Sequence, residues 1–206
     1  MQFSKNLEDN LEHLKQTLSL EKNFDVVYRV VSIGGKKGCL LFVDGLTKDE
    51  VLLKILQAWW SIKPEELPAD ANGFSGKDMP YGEVGLIDMI VQLLSGITAV
   101  LIDGYDKCMM IDCRTYPARG VGEPEKDKVL RGSRDGFVET LIFNTALIRR
   151  RIRDPKLIME ILSAGNSSHT DIAVCYMEGR VDEELLNNIR SRIRNLRVDA
   201  LTMNQE

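Results

Sequence analysis

Aromatic side chains make up only 6% of the 206 residues, and there are two histidines. Scarce aromatics leave few stacking platforms, and single-stranded nucleic acid is held by aromatics interleaved with cations. There is also no GxSxG, no HExxH, no Walker pair and no His–Cys arrangement, so no enzyme signature stands out. His169, in "SSHTD", admits either a pairing with Ser167 or Ser168 or a plain loop position, and the loop position is the simpler reading. The four cysteines, Cys39, Cys108, Cys113 and Cys175, form no CxxC pair and have no histidine at metal spacing. They read as reduced, mostly buried thiols, with Cys108 and Cys113 on opposite faces of a strand region, and not as a zinc site or a disulfide frame. No motif asks for a metal or any other cofactor. No apolar run approaches the roughly 18 residues that would span a bilayer, and no signal-peptide pattern opens the sequence.

Arginine is missing from most of the first half. Residues 1–113 hold one, Arg29, and otherwise use lysine, whereas residues 114–206 hold thirteen. The halves also differ in balance, with 11 basic and 17 acidic side chains in the first and 16 and 14 in the second. A guanidinium is a planar fork that binds carboxylate or phosphate through two bonds, while an ammonium is a solvated point charge. Fixed ion pairs or an anionic contact are therefore expected in the second half. Its excess of two positive charges is too small for the phosphate attraction that drives nucleic-acid binding, so no nucleic acid is expected.

What is present is ordinary for a globular chain, 44% apolar and 28% charged. "NLEDNLEHLKQTLSL" spaces Leu7, Leu11, Leu14 and Leu18 as one stripe of a helix, with His13 on the polar side. Two β-rich runs, 25–33 and 38–43, flank a Gly/Lys turn and read as a hairpin. That turn, "GGKKG", lacks the Ser/Thr and the following helix of a phosphate loop. "TKDEVLLKILQAWW" reads as a helix with Thr47 as N-cap and Glu50 completing a capping box. Residues 63–82 are a loop rich in Pro and Gly. A helix follows Gly82, and then two strands, "ITAVLIDG" and "KCMMIDCRTY".

After Tyr116 the texture becomes polar and Gly/Pro-rich, which places a crossing between an N-terminal α/β subdomain, 1–116, and a C-terminal one, 117–206. Asp135 is expected to N-cap a helix from Gly136 to about Arg153, with Val138, Leu141, Ile142, Thr145, Ile148 and Ile152 as its apolar stripe. Arg149, Arg150, Arg151 and Arg153 crowd its last turns, where cations complement the helix dipole. "KLIMEILSAG" reads as a further helix ending at Gly165. "HTDIAVCYMEG" reads as a strand and "VDEELLNNIRSRIRNL" as a last amphipathic helix. "CLLFVDGLTKDEVLL" and "AVCYMEGRVDEELL" share one strand–Gly turn–helix pattern. Arg131, Arg134 and Asp135 sit on a Gly-interrupted loop before a helix start, which suits a carboxylate or another polar ligand. The alternative is internal pairing of Arg131 and Arg134 with Glu123, Glu125 or Glu139.

The segment "EPEKDKVLRGSRDGFVETLIFNTALIRRRIRDPKL" resembles the signature of the GerA family, the A subunits of bacterial spore germinant receptors. Glu123, Pro124, Arg131, Gly132, Arg134, Gly136, Phe137, Glu139, Asn144, Leu147, Ile148 and arginines 149 to 151 match it residue by residue. "SSHTDIAVCYMEG", "IRSRIRNLRVDAL" and "LLFVDGL" resemble further blocks, so the likeness runs through nearly the whole chain.

The resemblance implies a soluble N-terminal region of a membrane protein, built as two small mixed α/β subdomains around a cleft and reminiscent of substrate-binding proteins. It implies no catalysis. The implied partners are B and C subunits, other A subunits and a small nutrient molecule, in the inner spore membrane with this region facing the spore core. Two roles stay open: nutrient binding in the cleft, or assembly and transduction with the nutrient held by another subunit. Expected ligand or inter-subdomain contacts are Arg114, Arg119, Glu123, Arg131, Arg134, Asp135, Glu139 and Asn144. The expected partner face is Arg149, Arg150 and Arg151.

Overall fold

The computed structural model describes residues 3–74, 83–84, 86–116 and 136–201. Helix α1, Leu7–Thr17, starts where the Asn6 side chain accepts a hydrogen bond from the Glu8 N–H, one of the donors a helix start leaves unsatisfied. Its leucine stripe, Leu7, Leu11 and Leu14, is buried as the spacing requires. Strands β1, Val26–Ile33, and β2, Lys36–Val43, form the expected hairpin around Gly34 and Gly35, both with positive φ. Helix α2, Asp49–Trp60, follows. The Pro/Gly-rich stretch contains a short 3-10 turn, Pro64–Glu66, and helix α3, Ala71–Phe74. Next come β3, Glu83–Val84, α4, Leu86–Leu94, β4, Thr98–Ile102, and β5, Cys108–Ile111.

These strands make one five-stranded antiparallel sheet in the order β1-β2-β4-β5-β3. Leu40–Val43 of β2, Ala99–Ile102 of β4 and all of β5 are apolar because both faces of the sheet are covered there. Cys39, Leu41, Ala99, Leu101, Cys108 and Met110 pack with α1 and α4. Their alternates Leu40, Val100, Ile102, Met109 and Ile111 pack with Leu52 and Trp59 of α2. Period-two alternation thus sorts neighbouring residues into two cores, each fully buried leucine contributing roughly 2 kcal/mol.

The second lobe is smaller. Helix α5, Leu141–Arg151, leads to strands β6, Leu157–Ala164, and β7, Thr170–Met177, an antiparallel pair, and then to α6, Glu183–Arg194. Asp182 caps α6 by accepting from the Glu184 and Leu185 N–H groups. The repeated sequence pattern is real in space. In each copy a glycine at φ +78, Gly45 or Gly179, stands two residues after the strand, and the helix starts four residues later.

Four expectations are corrected. "KLIMEILSAG" is not a helix: residues 157–164 are β6, which has a full antiparallel partner in β7 and a second contact with residues 23 and 24. Gly165 accordingly serves a strand turn, at φ +90. Helix α5 begins at Leu141, not Gly136, because the Asn144 amide clasps Val138 at both its N–H (2.8 Å) and its C=O (2.7 Å), closing a ring that holds this stretch out of the helix. Of the stripe read from spacing only Thr145 is buried, and the other buried residues of α5 are Ala146, Leu147 and Arg149. Helix α2 has Lys48 at its N-cap without a side-chain cap bond; the buried Thr47 hydroxyl donates to the Val43 carbonyl instead.

Candidate functional site

The two lobes meet at Asn23, Phe24 and Asp25, the segment that enters β1. Phe24 donates its N–H to the Met159 carbonyl (3.1 Å), and Met159 returns its own N–H to the Asn23 side-chain oxygen (2.8 Å). Asn23 in turn donates from its amide to the Leu18 carbonyl (2.8 Å), tying the junction to the turn after α1.

Arg149 fills the centre. It is 0% exposed and Asp25 is 1% exposed. Its Nε lies 2.7 Å from one Asp25 carboxylate oxygen and its Nη2 3.1 Å from the other, a fork-on-fork pair. Nη2 also reaches the Leu157 carbonyl (3.1 Å) and the Asn23 side-chain oxygen (3.4 Å), and Nη1 reaches the Asp154 carbonyl (3.3 Å). One guanidinium therefore closes the start of β1, the end of α5 and the start of β6 together. A buried charge is tolerable only when paired and fully bonded, and this one is both. A lysine could offer only a point charge here.

A second contact zone lies beside it. Val43, the last residue of β2, and Leu46, on the turn after it, bury against Ala146 of α5, with Tyr116 packed alongside. Gly45 makes the approach possible: a Cβ there would stand 2.8 Å from the Ile142 Cγ2 and 3.1 Å from the Ala146 Cβ. Arg150 stacks on the Tyr116 ring, its Cζ 4.3 Å from the centroid, and the Tyr116 hydroxyl donates to the Ser95 carbonyl (3.3 Å). Lys22 and Glu178 form an exposed ion pair between the lobes (2.7 Å).

The second lobe has its own charged node. Arg190 of α6 grips Glu160 of β6 through Nε (2.8 Å) and Nη2, and Tyr176 of β7 donates its hydroxyl to the same carboxylate (3.1 Å). These bonds from Arg190 and then Tyr176 hold the Glu160 carboxyl below the usual range, against the opposing effect of burial.

The expected site residues divide. Arg119, Glu123, Arg131, Arg134 and Asp135 lie outside the described residues, as does the proposed N-cap at Asp135. Arg114 stays within the first lobe: it binds Asp112 through Nε (2.8 Å) and Nη2 and reaches the Tyr116 hydroxyl (3.4 Å). Glu139 is exposed, and Asn144 is spent on Val138. Of the expected partner face, Arg150 and Arg151 are exposed, but Arg149 is not on it. Its burial against Asp25 makes it an internal bolt, a correction that follows from α5 lying between the lobes. Asn23 and Asp25 were missed, because nothing in their local sequence marks a partner 124 residues away.

Chemically, the junction can fix two bodies. Cys39 and Cys108 are neutral, their thiols pushed up to about 12 by burial. Among the described residues no cluster of His, Cys, Asp or Glu could hold a metal ion, and no helix is long and apolar enough to cross a membrane. A shallow apolar depression lined by Asp49, Glu50, Leu52, Leu53 and Leu56 is carried wholly by α2.

Comparison with known proteins gives consistent matches. The model of the family described as Bacillus/Clostridium GerA spore germination protein matches residues 12–206. Stage V sporulation protein AF of Bacillus subtilis (strain 168) is 34% identical over 94% of this chain and 40% of its own length. Spore germination protein B1 of the same organism is 31% identical over 98% of this chain and 42% of its own. The chain thus spans about two fifths of these curated relatives. In fold it is similar to the crystal structure of the N-terminal domain of the A subunit of the Bacillus megaterium spore germinant receptor GerK3. That match has a TM-score of 0.73 at 19% identity and covers 95% of this chain and 74% of the solved one.

Proposed function

This chain belongs to the Bacillus/Clostridium GerA spore germination protein family, and from that premise we propose that it is the N-terminal region of a germinant receptor A subunit, serving as a transducing scaffold and not as an enzyme. The observation that carries this reading is the Arg149–Asp25 bolt. A ligand biases a receptor only by the difference in its affinity for two states. A cleft that signals by hinge closure needs lobes free to move, and breaking a pair buried to 0% and 1% exposure is expensive. The lobes of this region move as one body, so force or displacement applied to one is delivered to the other.

On this reading the receptor complex includes B and C subunits and other A subunits, at the inner spore membrane. The exposed Arg150 and Arg151, at the end of the interlobe helix, form the partner face. The second reading, a carboxylate-bearing nutrient held by Arg119, Glu123, Arg131, Arg134 and Asp135, gains nothing from Arg114 or Asn144, which are engaged with Asp112 and Val138.

Two measurements separate transducer from sensor. A nutrient panel, scanned by thermal shift on the isolated chain, is expected to leave the melting temperature unchanged within a degree. A saturable rise of several degrees with one amino acid or sugar, mapped by NMR to residues 114–144, would return the nutrient site to this region. In spores, R150E/R151E is expected to block nutrient germination while the purified variant stays folded, with at most about 1 kcal/mol lost from the Arg150–Tyr116 stack. Normal germination of that strain removes these arginines from the partner face.

A further inference from the structure

Helix α6 has a start and an end of opposite character. Asp182, Glu183 and Glu184 open it. From Leu185 to Val198 there is no acidic side chain and there are four arginines, in a chain of net charge −4. Arg190 is committed to Glu160. Arg192, Arg194 and Arg197 are exposed, and among the described residues none of the three has a carboxylate within ion-pair distance. Arg194 only adds to the field on Glu160 from further off.

These cations are interleaved with exposed aliphatic side chains. Leu185, Ile189 and Arg192 follow one another at helical spacing and share one flank of α6. Ile189 and Leu196 are both exposed. The end of the helix is also held firmly in place. Asn195 donates its N–H to the Ser191 carbonyl (3.0 Å) and Leu196 to that of Ile193 (3.3 Å). Just beyond, Asn166 and Ser167 of the β6–β7 turn donate their N–H groups to the Val198 and Asp199 carbonyls (3.0 and 2.9 Å), and the Ser167 hydroxyl bonds the Asp199 carboxylate. Leu196 and Arg197 are thus clamped between the helix end and that turn, displayed on a fixed frame.

The chemistry of this surface selects its partner. Single-stranded nucleic acid stacks on aromatics, and no aromatic residue follows Tyr176. The core of a protein interface is apolar and depleted of charge, whereas here an arginine adjoins both Ile189 and Leu196. An anionic bilayer surface uses both kinds of group. Guanidiniums take headgroup phosphates through two bonds, and aliphatic side chains enter the boundary beneath the headgroups.

Resting on the reading of this chain as part of a membrane receptor, we propose that the end of α6, from Ile189 to Arg197, is a peripheral contact with an anionic lipid surface. Arg192, Arg194 and Arg197 bind the headgroup phosphates, and Ile189 and Leu196 supply the apolar part. The contact holds the second lobe at the bilayer, and Arg149 couples that lobe to the first.

The test is vesicle flotation with the purified 206-residue chain. At low salt, vesicles with about one third phosphatidylglycerol are expected to carry the protein and vesicles of phosphatidylcholine alone are not. High salt is expected to weaken the binding by about tenfold or more. R192Q/R197Q removes two charges that have no internal partner, and is expected to weaken binding by about tenfold or more while circular dichroism shows the parent's fold. K48Q/K54Q, the same change of charge on exposed lysines around α2, is expected to bind like the parent. Absence of binding to the anionic vesicles overturns the proposal, as does displacement by inorganic phosphate at matched ionic strength, which would mark a free-anion site. Equal vesicle binding by R192Q/R197Q and the parent overturns it too, and a loss in that variant of binding to solubilised B or C subunits would then assign the face to protein. None of these outcomes depends on the nutrient scan or the R150E/R151E strain, so the lipid contact and the transducer reading fail separately.

Discussion

Arg149 shows what a single side chain can be asked to do. Its guanidinium spends five hydrogen bonds on three elements, and its removal leaves the Asp25 carboxylate buried without a counter-charge. Breaking such a pair from one side costs about 3–5 kcal/mol, whereas exchanging both partners for apolar groups is far milder. R149A and D25A are therefore each expected to lose about 3–5 kcal/mol in urea unfolding, and R149M/D25A to fall closer to the parent than either. Singles that lose under about 1 kcal/mol would mean that the junction is held elsewhere. None of this was visible locally. The run of three arginines reads as a dipole-complementing turn at the helix end, and Arg150 and Arg151 are exposed there. Only the fold distinguishes the middle of an interface from its rim, by bringing Asp25 across 124 positions of chain.

At the scale of elements, legibility follows how much of the information is local. Helix α1 and the β1–β2 hairpin were readable because leucine spacing and turn glycines act within a few residues. β4, β5, β7 and α6 were readable for the same reason. β6 was not. "LIMEILSA" is a short apolar run that suits helix or strand equally, and the choice is made by β7 and by Phe24, which supply ladder partners. The start of α5 was misplaced because a side-chain clasp from Asn144 competes with helix at Val138.

The paired glycines make a controlled experiment out of the repeat. Gly45 and Gly179 share φ +78, a left-handed value that costs any other residue about 1–2 kcal/mol. They differ in surroundings: a Cβ at 45 meets Ile142 and Ala146 of α5, and one at 179 meets nothing within 4 Å. G179A is expected to show the backbone cost alone. G45A adds an overpacking cost of about 1–3 kcal/mol and shifts α5. Equal losses in chemical denaturation would mean that α5 does not bear on the β2–α2 turn.

For the molecule as a whole, the lobes are unequal partners. The first buries the centre of its sheet on both faces, while the second is one hairpin with helices α5 and α6, whose hold depends on the junction and on the Glu160–Arg190–Tyr176 node. Acid should expose that inequality. Arg190 keeps the folded-state pKa of Glu160 below its unfolded value, near 4.3, so the unfolded chain binds the proton more readily. The stability that results is present above that value and is lost as pH falls through the folded one. As the pH falls below the unfolded value and on through the folded one, β6 and β7 are expected to lose hydrogen-exchange protection before the five-stranded sheet does. Glu160→Gln, which replaces the charged acceptor, is expected to cost about 1–2 kcal/mol at neutral pH and to flatten the acid dependence of the second lobe. If both sheets open together at every pH, in parent and variant alike, the junction couples the lobes so tightly that neither has a stability of its own. The transducing unit would then be the whole chain, with no separately yielding lobe.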